Sequence, residues 1–151
     1  GLEQKRRFNI SQFEGKKRPL WPAILEKAFA IRSGGYNKIE GGYEGDIFEA
    51  LTGKAAHFHY LGKAGSKKNE ETVLQLKDAV RAGLPVVAAT KSLKEATMPP
   101  ELHNDHVYVA VGYSKDKVVL SDPFDPRETF TLSYDTFSQA FSRVTIAGVP
   151  E

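Results

Sequence analysis

Two histidines and a carboxylate carry the most suggestive chemistry in the chain. His103 and His106 open the stretch HNDHVYVAVGYSKDKVVLSDPFDP, and Asp122 lies near its end. A carboxylate that accepts the Nδ1–H of an imidazole fixes the tautomer of the ring and leaves Nε2 free to take a proton from a nucleophile. His106 and Asp122 are therefore a candidate general base and its orienting partner.

The residues between this pair predict a β-hairpin that would bring its members together. Alternating apolar residues predict strands at 106–113 and 117–122, joined by a short turn. If the turn centres on Ser114, His106 lies opposite Asp122 and on the same face of the hairpin. In the alternative interpretation, the histidine only begins a strand and the Asp-Pro pair only marks a turn.

The chain offers no evident nucleophile for such a base. It contains no cysteine, which excludes disulfides, thiolate metal sites and a cysteine nucleophile within these 151 residues. The serines at 33, 66, 92 and 121 lie outside any nucleophile-elbow motif. An enzyme that pairs a serine or threonine with His106 remains a third hypothesis beside the two given below.

The four histidines also raise the question of a zinc site. His57 and His59 share one face of a predicted strand, and His103 and His106 lie three residues apart. No cysteine joins either pair, and a His-x-His spacing alone is a weak metal signal. We therefore predict no metal site, and we interpret His57 and His59 as members of a surface aromatic cluster.

Composition predicts one ordinary domain. Apolar residues make up 40% of the chain and charged residues 26%, enough apolar material for a single core. The net charge of +2 is too small for a dedicated nucleic-acid binder. Basic residues cluster in a predicted N-terminal arm, 1–18. No apolar run is long enough to span a bilayer and no signal peptide is evident, so a cytoplasmic location is the default expectation.

Periodicity and turn residues predict an α+β fold, with helices first and a mostly antiparallel sheet after them. A further short segment, 57–65, is either a strand or an irregular crossing, and Asn69 is the predicted N-cap of the third helix. The predicted helices are 19–35, 46–51, 69–83 and 134–141, the last capped by Ser133; the predicted strands are 84–90, 106–113, 117–122, 128–132 and 142–148.

Several segments, in order, resemble the protease core of the calpain-type cysteine proteases. LWPAILEKAFAIRSGGYNKIEGGYEGDIFEALTGKAA is similar to the opening of its second subdomain, and TVLQLKDAVRAGLPVVAATKS to the next helix and strand. HVYVAVGY resembles the strand that carries the catalytic histidine. LSDPFD stands where the family has an Asn-Pro-Trp motif, and TFTLSYDTFSQAFSRVTIAGV resembles the closing strand, helix and strand. The resemblance covers roughly residues 19–149.

The resemblance implies that residues 19–151 form the histidine-bearing, β-rich half of a papain-like fold. His106 takes the place of the general base, Asp122 that of the orienting asparagine, and Phe124 that of the tryptophan that shields their bond from water. His103 inherits no role. A carboxylate orients an imidazole at least as well as an amide does and favours its charged form.

The chain also departs from the family pattern. The family's Gln…Gly-x-Cys-Trp segment has no counterpart in 1–18. The leading hypothesis is therefore half of a cysteine endopeptidase, inert alone, whose cysteine comes from a missing subdomain or another protein chain and whose substrate is a protein or peptide. The alternative is an inactive pseudoprotease module that binds a protein partner, for example in a microbial effector. Calcium is possible by family resemblance, but no calcium ligand can be assigned, and we predict no other cofactor.

Overall fold

The computed structural model describes residues 21–94 and 97–148. The predicted basic arm, 1–18, lies outside the described residues, as do the first two positions of the helix predicted at 19–35. Backbone contacts divide the chain into two compact units, Gly1–Gly42 and Tyr43–Glu151.

The described part of the first unit is one helix followed by a single helical turn. Helix α1 spans Trp21–Ser33, and a 3-10 turn spans Tyr36–Lys38. Gly34 and Gly35 separate them with backbone φ angles of 89° and 134°, which favour glycine. The predicted helix and its glycine stop are confirmed.

The second unit is built on one six-stranded antiparallel sheet. Its strands follow the order β1-β6-β2-β3-β4-β5, so the last strand of the chain lies between the first two. This architecture confirms the α+β class. The strands are β1 His57–Tyr60, β2 Val86–Thr90, β3 Val107–Tyr113, β4 Lys117–Asp122, β5 Asp125–Ser133 and β6 Phe141–Ile146; the helices are α2 Glu44–Thr52, α3 Lys67–Arg81 and α4 Tyr134–Ala140.

One face of the sheet carries the hydrophobic core. Side chains alternate along each strand, so every second residue of the central strands points to the same side as α3 and α4. Tyr108 and Phe137 are among the largest fully buried side chains. The core residues shared by sheet and helices are Leu76, Ala79, Val86, Ala88, Tyr108, Ala110, Val118, Leu120, Leu132, Phe137, Ala140, Phe141, Val144 and Ile146.

Helix α3 begins two residues earlier than the sequence indicates. Its N-cap is Ser66, whose Oγ accepts the Asn69 backbone N–H. Asn69 is not the cap that we predicted. It is buried in the first turn, where Oδ1 accepts the Gly62 N–H at 2.7 Å and Nδ2 donates to the Lys63 carbonyl at 2.7 Å. Its amide therefore holds the connection from β1 to α3, a use that helix-end statistics do not reveal. By contrast, the predicted Ser133 cap of α4 is confirmed.

Helix α2 is joined to the sheet by an ion pair. Glu44 accepts two hydrogen bonds from the Arg143 guanidinium, at 2.9 and 2.8 Å, and a third from the Thr145 hydroxyl at 2.6 Å. Gly45 allows this close approach, because a Cβ at that position would lie 2.5 Å from the Phe58 ring. Burial raises the pKa of Glu44, but the hydrogen bonds from Arg143 and Thr145 outweigh it, and the net pKa is lowered.

We expect Glu44→Gln to lower the free energy of unfolding by about 2 kcal/mol, because it leaves a mostly buried guanidinium without its counter-charge. Urea unfolding at neutral pH measures this loss. Glu71→Gln is the matched control, since its pair with Lys67 spans 3.9 Å and is solvent-exposed, and it should cost less than about 0.5 kcal/mol. Equal costs for the two variants would show that the Glu44 ion pair adds no more stability than an exposed pair does.

Candidate active site

The β3–β4 hairpin has a different register from the one that the sequence predicts. Ser114 N–H donates to the Lys117 carbonyl, so the turn centres on Lys115 and Asp116 and not on Ser114. The register also shifts between Ala110 and Gly112, where Val111 is one extra residue on β3. The paired positions are Val109↔Ser121, Ala110↔Leu120, Gly112↔Val119 and Tyr113↔Val118.

The extra residue decides which face Asp122 occupies. If Val111 were paired with a residue of β4 like its neighbours, the register near the turn would continue until Asp122 lay across from Val109, on the face opposite His106. With the bulge, the same extrapolation places Asp122 across from Tyr108, two residues from His106 and on its face. The two side chains are therefore diagonal neighbours across the strands, and the predicted direct opposition is wrong.

His106 and Asp122 form a close hydrogen bond. His106 Nε2 lies 2.9 Å from Asp122 Oδ1, and the side chains are only 17% and 22% exposed. A carboxylate can only accept, so Nε2 carries the hydrogen and Nδ1 is the basic nitrogen of the neutral ring. This assignment reverses our expectation that Asp122 would bond Nδ1 and leave Nε2 free. Nδ1 makes no hydrogen bond within the described residues.

A tight turn fixes the Asp122 carboxylate. Asp122 pairs with Asp125 at the start of β5, with Pro123 and Phe124 between them. The Phe124 backbone N–H donates to Asp122 Oδ1 at 2.8 Å, which is an Asx-type turn. Burial raises the pKa of Asp122, but the bonds from Phe124 and His106 outweigh it, so the net pKa is lowered. The carboxylate is thus held ionised and pointed at the imidazole.

The lowered pKa values of Asp122 and Glu44 predict acid sensitivity. A carboxyl group whose folded pKa lies below its unfolded value contributes stability above the unfolded pKa, about 4. That contribution is lost as the pH falls through the lower, folded value. We therefore expect the free energy of unfolding, measured in urea from pH 6 to pH 3, to fall less steeply for Asp122→Asn than for the unmodified chain. Parallel curves would rule out a contribution from Asp122.

Phe124 covers the imidazole. Its ring stacks on His106 with a centroid distance of 5.0 Å and an interplanar angle of 21°. Tyr108 packs edge-on against the same imidazole, with ring centroids 4.8 Å apart. Phe124 is itself 48% exposed, so it forms the outer wall of the site. The ring placed by resemblance in the position of the family's tryptophan therefore lies against the imidazole.

The sequence did not single out Tyr108 as a member of this site. It is fully buried, and its hydroxyl accepts the His103 backbone N–H at 2.9 Å. His103, assigned no role, lies exposed with its ring 5.9 Å from that of His106. The signal for Tyr108 was its position two residues after His106, which puts both on the same face of a strand.

Side-chain hydrogen bonds connect the loop before His106 to the residues that follow β2. Asn104 makes two hydrogen bonds with the Leu93 backbone, at 2.7 and 2.8 Å. Asp105 accepts the Ser92 hydroxyl at 2.8 Å and has a backbone φ of 51°, in the left-handed region. The Ser92 side chain therefore connects the segment after β2 to the loop before His106. Ser66 caps α3, and neither serine lies in hydrogen-bond contact with His106.

The other histidines lie elsewhere. His57 and His59 are on β1, which β6 and β2 separate from β3. Burial, followed by the charge of His57, lowers the pKa of His59. Among residues 21–94 and 97–148, no three His, Asp or Glu side chains gather in a way that could hold a metal ion. Nor does any helix in that part of the chain have the length and hydropathy needed to cross a bilayer.

The chain is similar in sequence to known calpains. The chain is 31% identical to the calpain-2 catalytic subunit of Gallus gallus over 94 residues, and 32% identical to calpain-8 of Rattus norvegicus over the same length. It is 29% identical to the calpain-1 catalytic subunit of Homo sapiens over 92 residues. Each match covers 61% of this chain, which spans only 13% of each relative's length.

The family profile described as calpain family cysteine protease matches residues 7–124. This match covers well over half of the chain and includes the His106–Asp122 hairpin and Phe124. The chain therefore belongs to the calpain family of cysteine proteases.

Proposed function

We propose that this chain is the histidine-bearing half of a calpain-type cysteine endopeptidase, with its cysteine supplied by a segment outside these 151 residues. The observation that supports the proposal is the hydrogen bond between His106 Nε2 and Asp122 Oδ1. It leaves Nδ1 as the proton acceptor, on a ring that Phe124 and Tyr108 hold between them. No other histidine in the described residues has a carboxylate partner at hydrogen-bond distance.

In the proposed reaction His106 moves protons in both the acylation and the hydrolysis steps. Nδ1 of His106 takes the proton of the cysteine thiol, giving a thiolate–imidazolium pair, and the thiolate attacks the peptide carbonyl. The imidazolium returns its proton to the departing amine, and His106 then deprotonates the water that cleaves the thioester. Asp122 accepts from Nε2–H throughout and stabilises the charged ring, while Phe124 keeps water from competing for that bond.

Aspartate in place of asparagine is compatible with this role. The same oxygen, Oδ1, accepts both the imidazole N–H and the Phe124 backbone N–H. The extra negative charge favours the imidazolium form that the thiolate pair requires. Protein or peptide substrates follow from the family.

A second candidate is an inactive module that keeps the protease fold to bind another protein. The observation that favours it is the lack of any cysteine in the sequence. Delivery as an effector would belong with this second candidate, whereas the paired imidazole and carboxylate favour the first.

The test is to isolate the native protein that contains this chain, together with any chain that co-purifies with it. The proposal expects hydrolysis of a denatured protein substrate and labelling of one cysteine by an epoxysuccinyl probe. The chain alone should do neither, because it has no thiol. A native preparation with no reactive cysteine and no hydrolysis would overturn the proposal in favour of the binding module.

A fluorophosphonate probe on the isolated chain is the control for a serine enzyme. The proposal expects no labelling, because no hydrogen bond joins a described serine to the His106 ring, whose Nε2 is bonded to Asp122. Labelling that disappears in His106→Ala would show that the histidine activates a serine of this chain.

A further inference from the structure

We propose that Thr90 is a positioning residue that sets the orientation of His106. The inference rests on the proposed role of His106 as the base. Thr90 ends β2, and it is 5% exposed although it is polar. The sequence shows it only as the last residue of the apolar run LPVVAAT, where a threonine is ordinarily a strand residue of no special function.

Thr90 binds the backbone of His106 on both sides of its Cα. The His106 N–H donates to Thr90 Oγ1 at 2.9 Å, and the Thr90 N–H donates to the His106 carbonyl at 2.9 Å. The Thr90 hydroxyl donates to the His103 carbonyl, with Oγ1 at 2.7 Å from that oxygen and 3.1 Å from the His106 carbonyl oxygen. One residue therefore fixes both peptide groups that flank the His106 Cα and the loop that precedes it. We call this set of hydrogen bonds the clamp.

The position of His106 makes this clamp necessary. His106 comes directly after Asp105, whose φ of 51° lies in the left-handed region, and directly before the first residue of β3. The last residue pair of the β2–β3 ladder is Ala89↔Val107, so His106 lies just past the regular pairing. Without Thr90, the His106 N–H would lose its partner in a site too enclosed for water to replace it easily.

The chemistry of the clamp requires a hydroxyl. Only a group that both donates and accepts can take the His106 N–H and give a hydrogen to the His103 carbonyl. Valine has the same shape and β-branching but neither capacity, and serine has both capacities with a less restricted χ1. Thr90→Val and Thr90→Ser therefore separate the hydrogen bonds of this residue from its packing.

The experiment measures the His106 ring in the chain with ¹⁵N-labelled histidine. At a pH where the imidazole is neutral, ring ¹⁵N shifts give the share of the Nε2–H tautomer, and amide exchange gives the protection of the His106 N–H. Thr90→Val should lower that protection by about tenfold or more and mix the two tautomers. Thr90→Ser should keep the tautomer of the unmodified chain.

Thr145→Val is the matched control. Thr145 is also buried in the sheet and also uses its hydroxyl in a hydrogen bond, but with Glu44 and on β6, which β2 separates from β3. It should lower the melting temperature and leave the His106 tautomer unchanged. If Thr90→Val leaves the ring unchanged, or Thr145→Val changes it equally, the inference is overturned.

A variant that does not fold leaves the test intact. If Thr90→Val fails to fold, Thr90→Ala replaces it, and a tautomer that is kept in Thr90→Ser but lost in Thr90→Ala supports the clamp. A tautomer kept in both contradicts it. These readouts need no hydrolysis, so they distinguish an error about Thr90 from an error about the proposed peptidase function.

Discussion

In a complete peptidase that contains this chain and its cysteine-bearing segment, His106→Ala should lower kcat by at least about a thousandfold. The variant removes the only described imidazole that has a carboxylate partner, so the thiol keeps its proton and the leaving amine has no donor. KM should change little, because the ring is placed to exchange protons with the reacting groups. Steady-state hydrolysis of a peptide substrate measures both constants.

The rate of cysteine alkylation by iodoacetamide gives an independent readout. With His106 present, a thiolate–imidazolium pair should react rapidly at pH 6, whereas in His106→Ala the alkylation rate should rise only near the ordinary thiol pKa of about 8.5. His57→Ala is the control, since His57 is exposed on β1, remote from β3. Unchanged hydrolysis in His106→Ala would mean that the base assignment is wrong.

Asp122→Ala should lower kcat by about a hundredfold, whereas Asp122→Asn should stay within about tenfold of the unmodified enzyme. Alanine leaves both the Nε2–H of His106 and the backbone N–H of Phe124 without their acceptor, so the ring is free to rotate and the turn loosens. An asparagine Oδ1 can accept both hydrogen bonds and keep Nδ1 as the basic nitrogen, although it lacks the charge that stabilises imidazolium.

Asp125→Ala is the matched control for Asp122. It belongs to the same turn, but its carboxylate pairs with Arg127 in an exposed contact at 3.2 Å and lies outside the imidazole's hydrogen-bond network. Its kcat should remain close to that of the unmodified enzyme. If Asp122→Asn proves as damaging as Asp122→Ala, the charge of the carboxylate, and not only its position, is required.

The hairpin could be predicted because its signals are local. Alternation of apolar residues predicted both strands, which the structure places at Val107–Tyr113 and Lys117–Asp122. The pairing of His106 with Asp122 was predicted from their positions at the outer ends of those strands. Its exact geometry was not, because the turn centre and the Val111 bulge shift the register in ways that a pattern of apolar residues does not show.

Other errors arose where one residue type has several uses. Asn69 has the properties of a helix cap, but Ser66 takes that role, because the buried amide of Asn69 is engaged by the preceding loop. The ring nitrogen was assigned wrongly because the sequence cannot show from which side Asp122 approaches the imidazole. Thr90 was missed because its role depends on which backbone groups of the loop lie beside it in three dimensions.

The bulge at Val111 has a consequence for how this hairpin tolerates insertions and deletions. Losing Val111 itself would restore regular pairing and leave Asp122 across from Tyr108, because the residue pairs on either side of the bulge would keep their partners. Such a deletion should therefore preserve the His106–Asp122 pair, and the Val111 side chain that it removes is half exposed. Losing Leu120 from β4 instead would shift Asp122 along β3 towards the turn and away from His106. Length variants of this hairpin should accordingly be tolerated when they remove the extra residue of β3 and not when they shorten β4.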